Sequence, residues 1–343
     1  MIIAVSSIHR FLSEKNYMFH NPDAGNGDDL LLPWIEMKKY AGPLEITMCT
    51  PDTVKPEEID VFLFIDMPME NDKYYRLARD RGIPSYLLMA ENGLKWAGNF
   101  DRQRHVYFKK VFTYRDDYVD NSNYLKTNYS FNLPKVLNKD LAAKDKLCVM
   151  VAGYNLSSHP LELYSHRIEA IRWFEQNHPE EFSLYGFGWD NCYVKTGSRI
   201  LNRLIRELCR FDNFKRKYKI VFPSHRGEVK RKYMVMPSYK FSICFENTRD
   251  IPGYITEKIF DSFFAGCVPV YWGANNIAEH IPKDCFIDFR DYKNMEDLYT
   301  YISNLSDLEY LAYLKRIEAF LNSPKAHPFS IDYFVKTIMG EII

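Results

Sequence analysis

Short runs of apolar and β-branched residues alternate along the chain with longer amphipathic segments. Five runs in the first third have the length and composition of buried strands, at 1–6, 44–47, 60–65, 85–89 and 111–113. The segment 72–81, between two of these runs, has a helical pattern. This alternation predicts an α/β fold with a doubly wound sheet, in which functional side chains gather where the strands end.

The same alternation restarts after a polar, lysine-rich stretch at 132–146, which we interpret as a linker. Strands are predicted at 147–152, 182–186, 239–245 and 268–273, and helices at 166–176 and 255–265. We therefore predict a first domain at 1–138, a second at 139–325, and a final helix within 326–343 that packs back on the first domain. Two such domains imply a cleft between them, where a reaction of two substrates would take place.

The composition of the chain limits the kinds of binding partner that we expect and indicates the cellular compartment. The 343 residues include 45 basic and 45 acidic side chains, so no overall field attracts nucleic acid or an anionic membrane. Seven cysteines, odd in number and without a C-x-x-C pair, indicate thiols in a reducing compartment. The N-terminus does not have the pattern of a signal peptide, and no apolar run approaches the roughly 20 residues of a membrane span. We expect a cytoplasmic protein, with peripheral contact at the inner membrane left open.

The most informative segment is 239–273. A strand leads to Glu246 and Asn247, a loop containing Gly253 follows, and Thr256 stands as the N-cap of a helix. A helix start offers free N–H groups and a positive dipole end, both of which suit a diphosphate. Lys258 in the first turn disfavours the helix by itself and so indicates an anion nearby. Glu257 suits a helix start, but its carboxylate could also accept both hydroxyls of a ribose.

The segment contains Y-K-F at 239–241, F-E-N at 245–247, Y-I-T-E-K at 254–258 and A-G-C-V-P-V at 265–270. In order and spacing it resembles the donor motif of glycosyltransferase family 10, the α-1,3/4-fucosyltransferases. The similarity extends over most of 85–295 and is closest to bacterial members. It implies a GT-B architecture of two Rossmann-like domains. It also implies inverting transfer of L-fucose from GDP-fucose to a hydroxyl of an N-acetylglucosamine- or galactose-containing oligosaccharide, with α-1,3 linkage.

The resemblance also implies roles for single residues. Arg167 and Lys258 would clamp the diphosphate, Glu257 would hold the ribose, and Asn247 and Tyr254 would contact the phosphates and the sugar. The remaining residues that we predict in the donor site are Glu246, Thr256, Arg226 and Lys230, the last two from the basic stretch 195–235. The alternative interpretations are a surface ion pair of Arg167 with Glu162 or Glu169, core packing for Tyr254, and a solvated helix face for the basic stretch.

Glu91, at the end of the predicted strand 85–89, matches the proposed catalytic base of the family. Family members follow this glutamate with Ser-Pro or a similar proline turn, whereas this chain reads Glu91-Asn-Gly-Leu-Lys-Trp. A glutamate facing the cleft could accept the proton of the attacking hydroxyl. The alternative is an exposed loop glutamate. We expect the loops at 20–34 and 96–101 to contact the acceptor.

No D-x-D motif occurs, and no two histidines have metal-ligand spacing. We therefore expect cationic side chains and a helix start, without a required metal or other cofactor, to balance the charge of the leaving GDP. Two other functions stay open: transfer from another GDP-sugar or to an atypical acceptor, and an inactive module that binds a nucleotide-sugar. A glycoside hydrolase is disfavoured, because Glu91 and Glu257 have different tasks instead of forming a pair across one bond.

Overall fold

The computed structural model describes residues 1–23, 27–190 and 221–343, and it contains two parallel sheets. The first sheet has the order β2-β1-β3-β4-β5-β6 and consists of β1 (Ile2–Ser7), β2 (Thr47–Cys49), β3 (Val61–Ile65), β4 (Ser85–Met89), β5 (Val111–Thr113) and β6 (Tyr124–Lys126). The second has the order β11-β10-β9-β7-β8 and consists of β7 (Lys146–Val151), β8 (Phe182–Tyr185), β9 (Tyr239–Phe245), β10 (Val268–Trp272) and β11 (Ile287–Asp288). The predicted fold class is confirmed.

Helices cover the faces of both sheets. The described ones are α1 (Leu32–Ala41), α2 (Lys73–Arg81), α3 (Tyr164–Asn177), α4 (Glu257–Phe264), α5 (Ile277–His280), α6 (Met295–Asn304), α7 (Asp307–Leu321) and α8 (Ile331–Ile342). The last helix packs on α1 of the first domain, where the rings of Trp34 and Phe334 lie 5.6 Å apart. The buried residues of α8 therefore belong to the hydrophobic core of the first sheet.

One predicted strand, at 44–47, is wrong. Gly42–Leu44 continue α1 as a 3-10 turn, and Glu45 reverses the chain with a φ of 57°. The strand then begins at Thr47, which pairs with Ile2. Leu44 is 47% exposed, so its apolar side chain does not mark a buried strand. The predicted linker at 132–146 reaches into β7 by one residue, because this strand already begins at Lys146.

The two domains meet closely beside the cleft. Asp116 of the first domain accepts a hydrogen bond from His280 Nε2 of the second at 2.7 Å. Gly253 has a φ of 75°, and a Cβ at this position would collide with the carbonyl oxygen of Tyr114. Glycine is therefore required here both by the backbone conformation and by the close approach of the first domain.

Candidate functional site

A cavity of about 520 Å³ lies between the carboxyl ends of the two sheets. Both domains line it: Asp66 and Glu91 follow β3 and β4 of the first sheet, and Asn247 follows β9 of the second. Cavities of this size at the switch points of parallel sheets are typical ligand sites. This cleft is therefore the candidate functional site of the protein.

The N-terminus of α4 opens into the cavity and rests on a buried carboxylate. Glu246 is fully buried and accepts hydrogen bonds from the backbone nitrogen and from Oγ1 of Thr256, at 2.8 and 2.7 Å. Thr256 occupies the predicted N-cap position, but its hydroxyl bonds Glu246 instead of capping the helix. Lys258 Nζ lies 3.1 Å from Glu246 and 3.3 Å from Glu257. The anion that its position in the first turn indicated is, in this structure, this pair of carboxylates.

Glu257 lines the cavity between two lysines. Its Oε1 lies 3.3 Å from both Lys258 Nζ and Lys232 Nζ. Burial by itself raises the pKa of Glu257, but the charges of Lys258 and Lys232 outweigh that effect and hold the pKa well below its usual value. Lys232 also pairs with Asp261 at 2.6 Å. Glu257 is therefore ionised and held in place, as an acceptor for hydroxyl groups must be.

Arg167 is buried on α3 at the back of the cavity. Its Nε and Nη2 donate to the carbonyl oxygen of Phe245, and Nη2 also donates to Asn247 Oδ1 at 3.0 Å. Within the described residues Arg167 has no ion pair and no hydrogen bond through Nη1. The surface pair with Glu162 or Glu169 is thus excluded, and burial lowers the pKa of Arg167. A buried guanidinium without a carboxylate partner is suited to an anionic ligand.

Tyr254 joins the two domains at the floor of the cavity. Its hydroxyl accepts a hydrogen bond from Asn92 Nδ2 of the first domain at 2.6 Å and from Asn247 Nδ2 of the second at 3.4 Å. Its ring packs 5.2 Å from that of Tyr114. Tyr254 therefore packs in a small core, as the alternative interpretation held, and it also lines the cavity, whereas its contact with the phosphates and the sugar stays a prediction.

Glu91 faces the cavity from a turn that Asp66 organises. Asp66 Oδ1 accepts hydrogen bonds from the backbone nitrogens of Ala90 and Glu91, both at 2.8 Å, and from Asn99 Nδ2 at 2.6 Å. Burial raises the pKa of Asp66 to about 6. The Glu91 side chain lies 3.5 Å from His9 Nε2, and this hydrogen bond raises the pKa of His9. The turn is thus fixed through its backbone, while the carboxylate stays partly exposed to the cleft.

Most of the predicted site residues line this one cavity. They are Glu91, Lys230, Arg167, Asn247, Tyr254, Thr256, Glu257 and Lys258. Glu246 does not line the cavity but bonds the start of α4 through Thr256. Arg226 does not line the cavity either, because its segment runs alongside β8. The part of the basic stretch at 195–220 lies outside the described residues.

Of the two segments predicted to contact the acceptor, 20–34 and 96–101, only the first contributes residues to the cavity wall. None of the residues 96–101 lines the cavity, because this segment packs behind the Glu91 turn, where Asn99 bonds Asp66 and the indole of Trp96 donates to Met67. In the first loop, residues 27, 28, 30, 31, 33 and 34 line the cavity. Residues 24–26 of this loop lie outside the described part of the chain.

Sequence reasoning missed several cavity residues, namely His9, Asp66, Lys95, Tyr129 and Lys232. Asp66 directly follows a strand, as Glu91 does, so the position of strand ends could have indicated it. Lys232 lies in the basic stretch but could not be distinguished there from its neighbours. Among the described residues, no three or more His, Cys, Asp or Glu side chains are grouped so that they could hold a metal ion, and no helix is long and apolar enough to cross a membrane.

Comparison with known proteins identifies the second domain. Residues 190–325 match the family model for the C-terminal domain of glycosyltransferase family 10 (fucosyltransferase). The matched segment includes α4, whose N-terminus opens into the cavity described above.

Curated proteins that are similar to this chain include the α-(1,3)-fucosyltransferase FucT of Helicobacter pylori, with 40% identity over 77 residues. They also include an α-(1,4)-fucosyltransferase of Arabidopsis thaliana, with 35% identity over 86 residues. These segments are 22% and 24% of this chain, and they span only 16% and 21% of the relatives' own lengths.

Two solved structures share the fold across the whole chain. An α1,3-fucosyltransferase has a TM-score of 0.51 at 16% identity and covers all of this chain and 90% of its own. HepE from Anabaena, solved with UDP, has a TM-score of 0.53 at 10% identity, with coverage of 100% and 99%. The architecture of this chain is therefore that of the GT-B glycosyltransferases.

Proposed function

We propose that this protein is an inverting fucosyltransferase that transfers L-fucose from GDP-fucose to a hydroxyl of an oligosaccharide. The observation that carries the proposal is the arrangement of charge across the cleft. Arg167, Lys258 and the start of α4 lie on one wall of the cavity, and Glu91 lies on the other. A structure of an α1,3-fucosyltransferase with GDP-fucose shares this fold, with a TM-score of 0.50, and supports the choice of donor.

The donor would lie against the second domain. The positive charges of Arg167 and Lys258 and the N–H groups at the start of α4 would balance the diphosphate, as such groups do at other phosphate sites. The ionised carboxylate of Glu257 would accept hydrogen bonds from the ribose hydroxyls. Asn247 and Tyr254, which bond each other, would contact the phosphates and the sugar. We propose that these groups suffice without a divalent ion.

The reaction would proceed in one displacement. Glu91 would accept the proton of the acceptor hydroxyl as that oxygen forms a bond to the anomeric carbon. The bond between this carbon and the β-phosphate oxygen would break, and its electron pair would leave with GDP. A β-linked donor would thus give an α-linked fucoside. Asp66 would contribute by holding the backbone of the Glu91 turn in position.

For the acceptor we propose an N-acetylglucosamine- and galactose-containing glycan of the Lewis-antigen type, such as one carried by lipopolysaccharide, with α-1,3 linkage and a cytoplasmic site of action. Support for the linkage comes from the H. pylori relative, whose name specifies α-(1,3), although the Arabidopsis relative is an α-(1,4) enzyme. The first domain would bind this glycan beside Glu91, where residues 27–34 line the cavity.

The test is a turnover assay with GDP-fucose and N-acetyllactosamine in the presence of EDTA. We expect release of GDP and an α-fucoside, identified by the anomeric coupling in its NMR spectrum. GDP-mannose in place of GDP-fucose should give no product. Binding of GDP without turnover on any galactose- or N-acetylglucosamine-containing acceptor would favour the inactive binding module instead.

A further inference from the structure

Lys95 is a cavity residue whose position neither the family resemblance nor the predicted donor site includes. It follows Glu91 by four residues, in the turn where this chain departs from the proline pattern of family 10. Although it belongs to the first domain, its Nζ lies 3.3 Å from Asn155 Oδ1 of the second. The Lys95 amine thus crosses the cleft to the donor side, while its side chain stays exposed to the cavity.

Two cations, one from each domain, meet at the same aromatic ring. Lys95 Nζ lies 5.6 Å from the centre of the Tyr164 ring, and the guanidinium carbon of Arg167 lies 5.1 Å from it. Within the described residues, neither cation has a carboxylate within ion-pair distance. By contrast, Lys258 and Lys232 at the same cavity each pair with two carboxylates. Like Lys230, which also lines the cavity, Lys95 and Arg167 are therefore cations that no described carboxylate pairs with, so their charge is left for a ligand.

The charged groups that act on Lys95 come from both walls of the cavity. Its pKa is lowered, first by desolvation and then by the positive charges of Arg167 and Lys258, whereas the charge of Glu91 acts in the opposite direction. The charge of Lys95 thus interacts both with Arg167 and Lys258 on the second-domain wall and with Glu91 on the first-domain wall. In the proposed reaction, a group between Glu91 and the cations Arg167 and Lys258 would lie beside the reacting carbon, where the β-phosphate oxygen would leave.

We propose that Lys95 is a further catalytic residue, a cation from the first domain that contacts the β-phosphate of the nucleoside diphosphate and stabilises the leaving oxygen. The inference rests on the proposed function. As the bond from the anomeric carbon to the β-phosphate oxygen breaks, the electron pair stays on that oxygen, and the acceptor's proton moves to Glu91. The Lys95 ammonium is not consumed; it offsets the charge that develops on the diphosphate.

The test compares nucleotides that differ only in the β-phosphate. Affinities of GDP and GMP are measured by calorimetry for the wild-type protein, for Lys95→Ala and for Lys109→Ala, a control lysine in the same domain that does not line the cavity. We expect Lys95→Ala to weaken GDP by about three- to tenfold and GMP by less than about twofold. The rate kcat with GDP-fucose should fall more than GDP affinity does, because the charge grows in the transition state, and Lys95→Arg should restore part of it.

Equal weakening of GDP and GMP would overturn the proposal, since it would show that Lys95 only joins the domains through Asn155. Unchanged GDP affinity and unchanged kcat in Lys95→Ala would also overturn it. A wild-type protein that does not prefer GDP to GMP would overturn the proposed function itself, together with this inference. Because the Lys95 side chain is exposed, thermal unfolding of Lys95→Ala should match that of the wild type, which checks that the variant is folded.

Discussion

The two walls of the cavity hold their functional groups in different ways. On the wall of the second domain, the side chains pair directly with one another. Glu246 bonds Thr256, and Lys258 lies between Glu246 and Glu257. On the wall of the first domain, Asp66 holds only the backbone of the Glu91 turn, and the Glu91 carboxylate itself contacts His9 at 3.5 Å.

In the proposed reaction, this difference would separate binding of the donor from the chemical step. Charged side chains that are already paired with one another lose little conformational freedom when a nucleotide binds. They therefore occupy the same positions each time a nucleotide binds. A carboxylate without a permanent cation at close range is the stronger base, because such a cation would lower its pKa. We therefore expect changes on the second-domain wall to alter donor affinity and changes on the first-domain wall to alter the rate.

The largest effect is expected for Glu91→Gln. The amide has the same size but cannot accept the proton, so kcat should fall by about 10²- to 10⁴-fold while GDP affinity stays unchanged. The measurement is steady-state turnover together with GDP calorimetry. Glu36→Gln, on α1 and away from the cavity, serves as the control. Turnover within tenfold of the wild type would mean that Glu91 is not the base.

A smaller effect, this time on binding, is expected for Arg167→Lys. Lysine keeps the charge but loses the planar fork that bonds Phe245 and Asn247 and would at the same time bind the diphosphate. GDP affinity should fall by about 10- to 100-fold, whereas guanosine affinity should not change. Arg172→Lys on the same helix is the matched control, because Arg172 pairs with Glu175 outside the cavity. An equal loss for guanosine would place the diphosphate elsewhere.

The third prediction concerns pH and the support of the Glu91 turn. Because burial raises the folded pKa of Asp66 from 3.8 to about 6, its contribution to stability is complete below pH 3.8 and is lost as the pH rises through 6. Two pKa units correspond to about 3 kcal/mol. In Asp66→Asn this loss is absent, so the free energy of unfolding in urea should decrease less between pH 4.5 and 7.5 than in the wild type. An identical decrease in both proteins would show that Asp66 titrates normally.

The smallest effect is expected for Thr256→Val. Valine keeps the shape but removes the hydroxyl that donates to Glu246 and accepts from Lys258. The buried Glu246 carboxylate loses one of its donors, so the free energy of unfolding should fall by about 1–2 kcal/mol. Thr256→Ser, which retains the hydroxyl, should recover most of this loss in thermal or urea unfolding. If serine destabilises the protein more than valine does, the methyl group and not the hydrogen bond is what matters.

The sequence by itself determined the two-domain α/β architecture and the wall of the second domain. Buried parallel strands are continuous apolar runs, so 85–89, 111–113 and 239–245 could be predicted to the residue. The segment from Glu246 to Lys258 is continuous and combines a strand end, a glycine turn and a helix start, and each of these has a local signal. Edge strands of two or three residues, such as β11 and β6, have no such signal and were missed.

Only the tertiary structure decided which residues of the first domain face the segment 246–258 across the cavity. Asp66, Lys95 and His9 come from three different strand ends of the first sheet, and nothing in their own neighbourhoods shows that they share a cavity with Arg167. Tertiary contact also reassigned Thr256 from capping α4 to bonding Glu246, and it placed 96–101 behind the Glu91 turn. Local sequence specifies backbone conformation over a few residues, whereas burial and charge pairing depend on groups brought together from distant parts of the chain.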